Sequence, residues 1–244
     1  MTSLENSTVQ NPHTLTDQPA EISDKGLRPP KNPPEKLLLN MRVTSNCRYR
    51  AAIRLGMKND ISFAATTVLS LGLILTPLLQ NSGMQLQFPS SIANGMQLFF
   101  AVCVLVYSVI ISKADYGVRS ERLNRCGDAL KSLARDLDRE LKNNQLTDES
   151  VRSYGERYSI IVSSSENHDD NDYLISRLHM SRDYQIKGIK RLYYIVKSKF
   201  ILNFMYLAPI SIMLLELTFL SDFIGATEIY PNAFRSTPLS QTAP

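Results

Sequence analysis

The stretch ENHDDNDY, residues 166–173, is the one dense cluster of groups in this sequence that could do chemistry. Its carboxylates and His168 could hold a divalent metal ion, or could act as acid and base in catalysis by Glu166, His168 and Asp169. An EF-hand loop needs a bidentate Glu as its twelfth residue, but counting from Asp169 reaches Met180. The spacing therefore excludes an EF-hand.

The alternative for the same cluster is the start of a helix. Asn167 or Asp169 could be the N-cap, and Asp170 and Asp172 would then lie in the first turn, where negative charge interacts favourably with the helix dipole. These residue types are common at capped helix starts, so we favour a structural role for the cluster.

Other catalytic patterns are absent from the sequence. It contains no nucleotide-binding glycine loop, no serine-hydrolase elbow and no H-E-x-x-H zinc motif. The three cysteines are scattered, which gives neither a disulfide framework nor, with the three histidines, a zinc-ligand spacing. We therefore expect no catalytic residue, no cofactor and no metal, and predict that the protein is not an enzyme.

A long run without charge determines the elements that must position the cluster. Residues 61–112 contain no Asp, Glu, Lys, Arg or His. The run divides into apolar stretches at 61–80 and 92–111, each long enough at ~1.5 Å per residue to cross ~30 Å of hydrocarbon. Core helices of soluble domains keep a charged face, and these have none. The pattern predicts a transmembrane helical hairpin with an outer loop at 81–91.

The charged flanks predict the orientation of the hairpin. Residues 35–60 form a basic helical segment, with Asn59 or Asp60 able to cap the span that follows, and further basic residues come after residue 112. The loop 81–91 has none, so the positive-inside rule places both flanks in the cytoplasm and the loop outside. Basic residues are thereby explained without direct nucleic-acid binding. Residues 1–34 are proline-rich and polar, and we predict a disordered tail without a signal peptide.

Residues 113–199 are predicted to be cytoplasmic helices. One of them carries a short heptad seam, formed by Leu123, Cys126, Leu130, Leu133 and Leu137. The seam could pack on other helices of the same chain or form a contact between subunits. Thr147, followed by two acidic residues, is predicted to begin another helix.

A third apolar segment covers residues 200–220 and contains Pro209 and Glu216. Basic residues precede it and few follow, which suits a third span leaving the cytoplasm, with Glu216 near the outer interface. A basic amphipathic helix lying on the inner leaflet is the alternative. Residues 221–244 are predicted to be a tail. The predicted fold class is thus an all-α integral membrane protein.

Small polar side chains recur on one face of each hairpin helix. They are Ser62, Thr66 and Ser70 on the first, and Asn94, Gln97 and Ser108 on the second. In lipid such faces turn toward other helices or toward water. They are therefore candidates either for close packing of the hairpin on itself or for lining an oligomeric pore.

Several stretches together resemble a known family. The segments MRVTSNCRYRAAIRL, LSLGLILTPLL, KADYGVRSERLNRCGDALKSL and ENHDDNDY are similar to those of SLATT-domain proteins, bacterial two-transmembrane effectors. The resemblance covers about residues 40–173, extends more loosely toward residue 220, and is strongest to the subgroup found beside reverse transcriptases.

The resemblance implies an effector of anti-phage defence. A partner, such as a reverse transcriptase or a nucleotide-signalling enzyme encoded nearby, would sense infection, and the effector would assemble into a homo-oligomer, permeabilise the bilayer and stop growth. A non-conducting anchor that recruits a cytoplasmic partner is the alternative. The family implies no catalytic residues.

Overall fold

The computed structural model describes residues 32–180, 183–184, 186, 188–231 and 234–235. Helices form all the regular elements of these residues. They are α1 (Pro33–Asn81), α2 (Ser90–Ala114), α3 (Tyr116–Lys142), α4 (Asp148–Ser163), α5 (Asp170–His179) and α6 (Ile189–Phe223). The predicted disordered tail lies, up to residue 31, outside the described residues, and so do residues 236–244 of the predicted C-terminal tail.

Helix α1 is one uninterrupted helix of 49 residues, about 73 Å long. The prediction of a cap at Asn59 or Asp60 is wrong, because the helix continues through both residues. Its start fits Pro33 and Pro34, which lack the N–H groups that a first turn leaves unpaired. Pro77 lies in the last turns, where a missing backbone hydrogen bond disturbs little. A single rigid rod therefore joins the polar part of the chain to its apolar part.

Three helices are long and apolar enough to cross a membrane. They are α1, whose apolar part is the predicted first span, α2, and the stretch Tyr206–Phe223 of α6. The chain is thus an all-α membrane protein, as predicted. Helix α6 runs from Ile189 to Phe223, so it begins well before the predicted start at residue 200 and ends after the predicted end at residue 220.

The polar bundle consists of the first half of α1 together with α3, α4 and α5. Helices α1 and α3 are antiparallel, since the Ser45 hydroxyl donates to the Gly127 carbonyl at 2.9 Å and the Ser120 hydroxyl to the Ala52 carbonyl at 2.8 Å. Asp115, in the left-handed region at φ 50°, makes the bend between α2 and α3.

The heptad seam forms the core of this bundle within a single chain. Its five residues are between 0 and 5% exposed. The C-terminal two, Leu133 and Leu137, pack with Leu38 and Met41 of α1 and with Tyr154 of α4. In the single chain the seam thus packs on other helices of the same chain, and a subunit contact stays a prediction. A subunit contact through these side chains would require the bundle to open.

The far ends of the apolar helices are held together by aromatic rings. Phe88, in the loop between α1 and α2, stacks on Phe219 and Phe223 of α6 at centroid distances of 5.5 and 6.3 Å. The Gln87 N–H donates to the Phe223 carbonyl at 3.2 Å. The predicted outer loop is therefore fastened to the end of α6, and α6 runs parallel to α1.

The first part of the predicted C-terminal tail folds back on the end of α6. The Asp222 carboxylate is fully buried and accepts hydrogen bonds from the backbone N–H groups of Ile229, at 3.1 Å, and Tyr230, at 2.8 Å. Arg235 lies 3.4 Å from the same carboxylate. The carboxylate thus closes the turn that follows the third apolar helix.

Candidate functional site

The ENHDDNDY cluster forms the capped start of α5. Asp169, one of the two predicted caps, is the N-cap, and its N–H donates to the Asp172 carboxylate at 3.2 Å. Asp170 and Asp172 lie in the first turn, as predicted. No group of three or more side chains in the described part of the chain is arranged to hold a metal ion.

Two arginines bind the carboxylates of the cluster to the rest of the bundle. Arg54 of α1 pairs with Asp172, which is 1% exposed, and lies 2.9 Å from Asp169. Burial alone would lower the pKa of Arg54, but the hydrogen bonds and charge of Asp172 outweigh it and raise the pKa. Arg119 of α3 pairs with Glu166, with its Nη2 2.6 Å from a carboxylate oxygen. The cluster therefore joins α5 to α1 and α3.

Beneath these ion pairs lies a buried layer that sequence reasoning did not identify. Arg48 is 2% exposed and donates to the Glu166 carbonyl. Cys47 is fully buried near Ser176, and burial raises the pKa of its thiol to about 11. A thiol of that pKa stays protonated and unreactive at neutral pH. The arrangement fits helix docking rather than catalysis.

The predicted polar face on α1 is divided between two roles. Ser62 is buried, and its hydroxyl lies 3.1 Å from the Tyr107 hydroxyl of α2. Thr66 and Ser70 instead donate to backbone carbonyls of the preceding turn of α1, Ser70 at 2.7 Å to the Thr66 carbonyl. Ser62 therefore joins the two hairpin helices, whereas the other two hydroxyls are satisfied within α1.

The predicted face on α2 is also divided. Gln97 donates to the Leu73 carbonyl of α1 at 3.4 Å, and Asn94, which is exposed, accepts from Gln80 at 3.2 Å. Ser108 is exposed on the outside of the hairpin. The structure thus brings Ser62, Gln97 and Asn94 to contacts between the helices, and leaves Ser70 and Ser108 on the surface of the single chain.

The most unusual polar group in the apolar region is Glu216 of α6. It is 1% exposed, and neither carboxyl oxygen has a hydrogen-bond partner among the described residues. The carboxyl lies directly against Gly72 of α1, where a Cβ atom would overlap it. A glycine at this position leaves the space that the carboxyl occupies. The signal in the sequence was a single acid in an apolar segment, but nothing indicated its neighbour.

The position of Glu216 corrects the prediction that it lies near the outer interface. Gly72 comes eleven residues after Ile61 and eight before Gln80, about 17 and 12 Å along the predicted first span. Glu216 is also seven residues before the end of α6 at Phe223, about 10 Å along the helix. The carboxyl therefore lies deep between two apolar helices.

Comparison with known families identifies the chain. The family model of the SMODS and SLOG-associating 2TM effector domain family 5 matches residues 30–220, most of the chain. The chain belongs to this family. No curated protein and no solved structure matches it.

Membership confirms the predicted resemblance at the level of the SLATT effectors. It makes the chain a membrane effector of defence systems, associated with SMODS and SLOG partners. The family description counts two transmembrane helices, whereas this structure has three helices that are long and apolar enough to cross a membrane. The third of them, in α6, supplies Glu216.

Proposed function

We propose that this SLATT effector permeabilises the bacterial inner membrane as a homo-oligomer when a partner or signal alters its polar bundle, and thereby arrests growth. Such a partner could be a reverse transcriptase or a nucleotide-signalling enzyme encoded nearby. The proposal involves no enzymatic step, no cofactor and no binding of nucleic acid. The N-terminus and the polar bundle lie in the cytoplasm, in agreement with the basic flanks of the hairpin.

One observation carries this proposal, namely that the apolar helices place polar side chains at their mutual contacts. Ser62 and Gln97 lie between α1 and α2, and Glu216 lies between α1 and α6. A polar or ionisable group inside a membrane is unfavourable, and such groups commonly mark a path for ions or water. Simple anchorage needs none of them, because apolar side chains would serve.

The route from signal to membrane is supported by α1. The helix carries Arg54, which holds α5 through Asp172, and continues without a break to Gly72, which contacts Glu216. A change in how α5 docks on α1 would therefore move helix α1, and the second half of α1 lies among the apolar helices. In the proposed mechanism this movement separates the membrane helices and opens their polar contacts to water.

Measurement of membrane potential during induced expression of the chain together with its activating partner tests the proposal. We expect the wild type to depolarise the membrane, and Gln97→Leu to depolarise it less, because a polar group on the path is lost. Leu98→Ala is the matched control, since Leu98 is 68% exposed on the outside of the same helix, and we expect it to act like the wild type.

A non-conducting anchor is the alternative function. It predicts that none of the variants changes the potential, even when the partner is present and the chain is inserted in the membrane. Dye retention by liposomes that contain the purified chain and its activating partner would support the same conclusion.

A further inference from the structure

We propose that Glu216 binds monovalent cations in transit and makes the membrane permeability selective for cations over anions. The inference rests on the proposed permeabilising function and adds the class of ion that crosses. In the structure the carboxyl is enclosed by the contact between α1 and α6, and the path forms when α6 moves away from α1 at Gly72.

The first observation behind this proposal is the environment of the Glu216 carboxyl. Glu216 is 1% exposed, and its two oxygens have no hydrogen-bond donor among the described residues. The Thr76 hydroxyl, one turn along α1 from Gly72, donates to the Gly72 carbonyl at 2.9 Å. The closed contact thus offers the carboxyl space but no donor, in contrast to the buried Asp222, which accepts two backbone N–H bonds.

The second observation is the position of the Glu216 carboxyl, deep between the apolar helices. Along α1 it lies level with Gly72, well inside the predicted span, and no basic side chain belongs to residues 61–112. Along α6 there is no basic residue from Phe200 to Phe223. A carboxylate that meets water at this depth has no fixed cation to pair with, so its counter-charge must be a mobile cation.

The third observation is that Glu216 is an acid, whereas the polar side chains at the contact between α1 and α2 are neutral. The polar side chains at the contact between α1 and α2, which include Ser62, Asn94 and Gln97, are neutral and donate or accept hydrogen bonds without favouring either sign of ion. Glu216 is the only charged residue type in the three apolar segments 61–80, 92–111 and 206–220. Glu216 is therefore the group whose negative charge makes the opened path attract cations and repel anions. Carboxylate side chains select cations in channels by the same attraction.

Reversal potentials across planar bilayers test the inference on the full chain with its activating partner. Under a KCl gradient we expect the wild type to show cation preference and Glu216→Gln to lose it, with a reversal potential near zero. Glu228→Gln is the matched control, since it removes an acid from the turn after α6 that is 83% exposed, and we expect it to keep the wild-type value.

Two further arms distinguish the cations and guard against loss of assembly. Replacing K⁺ by a large organic cation under a pH gradient separates passage of alkali ions from passage of protons, and either result supports the inference. Glu216→Asp keeps the charge, so we expect it to retain the cation preference. Currents in Glu216→Gln with the wild-type reversal potential would overturn the inference alone. A wild type that favours anions would do the same, and absence of any wild-type current would overturn the proposed function as well.

Discussion

The Arg54 guanidinium on α1 binds the Asp172 carboxylate on α5 through two hydrogen bonds, of 3.1 Å from Nε to Oδ1 and 2.9 Å from Nη2 to Oδ2. The two residues are 118 positions apart in sequence, and Asp172 is 1% exposed. The pair joins the cluster that looked most like a reactive site to the helix that enters the membrane. The pair is a salt bridge that holds α5 against α1, and it lies at the end of α5 next to the apolar region.

Removal of one partner from this buried pair should loosen the bundle. We expect Asp172→Asn to lower the free energy of unfolding by about 1.5–3 kcal/mol, because Arg54 loses its buried counter-ion and keeps only Asp169, which is 61% exposed. Asp170→Asn, in the same helical turn but exposed, should change it by less than about 0.5 kcal/mol. Thermal unfolding of the purified chain in detergent measures both. Equal stability of the two variants would contradict the role given to the pair.

The hairpin could be predicted from the sequence because it depends on a local property, the absence of charge over residues 61–112. The capped start of α5 could be predicted for the same reason, since a cap and its first turn are neighbours in the chain. Such features need no knowledge of which helices are adjacent.

The pairs that give the molecule its proposed function could not be predicted in this way. Arg54 and Asp172, or Gly72 and Glu216, meet only because distant helices pack side by side, and a single sequence carries no record of that packing. The depth of Glu216 was mistaken because the third segment was taken to end at residue 220, whereas α6 continues to Phe223, and because the sequence does not show that Glu216 faces Gly72. The continuity of α1 was missed because Asn59 and Asp60 were interpreted as caps of a new helix, whereas the same residue types also occur inside helices.

The seam residue Leu130 separates packing within the chain from contact between subunits. It is fully buried in the single chain, so we expect Leu130→Ala to lower the free energy of unfolding by about 2–5 kcal/mol. Ser132→Ala, two residues away and exposed, is the control and should leave stability unchanged. Denaturant unfolding and the oligomeric state should be measured together. A Leu130→Ala chain of wild-type stability that no longer oligomerises would show that the seam is a subunit contact instead.

The space at Gly72 should be essential for the closed contact with α6. A methyl group there would overlap the Glu216 carboxyl, so we expect Gly72→Ala to destabilise the membrane helices by about 1–3 kcal/mol. Gly95→Ala, at a position where nothing lies within 4 Å, is the matched control.

A double-mutant cycle identifies the cause of the Gly72 effect. Since Glu216→Ala removes the overlapping atoms, it should restore much of the stability lost in Gly72→Ala, and the two changes should not be additive. Thermal unfolding in detergent gives the four values. Additive losses would mean that the methyl group disturbs something other than the carboxyl.

Protonation of His168 should make the bundle weaker in acid. Burial, followed by the charge of Arg48, lowers the pKa of His168 from 6.5, so the folded chain resists a proton that the unfolded chain accepts near that pH. The stability that comes from this histidine is complete above pH 6.5 and is lost as the pH falls from there through the folded pKa.

The matched comparison for this effect uses the two histidines of α5 and its cap. Between about pH 7.5 and 5.5, His168→Gln should lose less stability than the wild type, because both chains share the titration of the carboxylates. His179→Gln, at an exposed position, should follow the wild type. Melting temperatures across this range give the slopes, and identical slopes for all three chains would count against the buried state of His168.

Labelling of Cys47 should report the opening of the bundle. The side chain is fully buried, and its pKa of about 11 against an ordinary 9.0 leaves about a hundredfold less thiolate near neutral pH. In a chain with Cys103→Ser and Cys126→Ser, we expect a maleimide to react with Cys47 only after denaturant is added or the activating partner loosens α5 from α1. Ser132→Cys, added to a version that also carries Cys47→Ser, provides the exposed control and should react at once. Rapid reaction of Cys47 in the resting chain would show that α5 is not docked there as the Arg54–Asp172 pair requires.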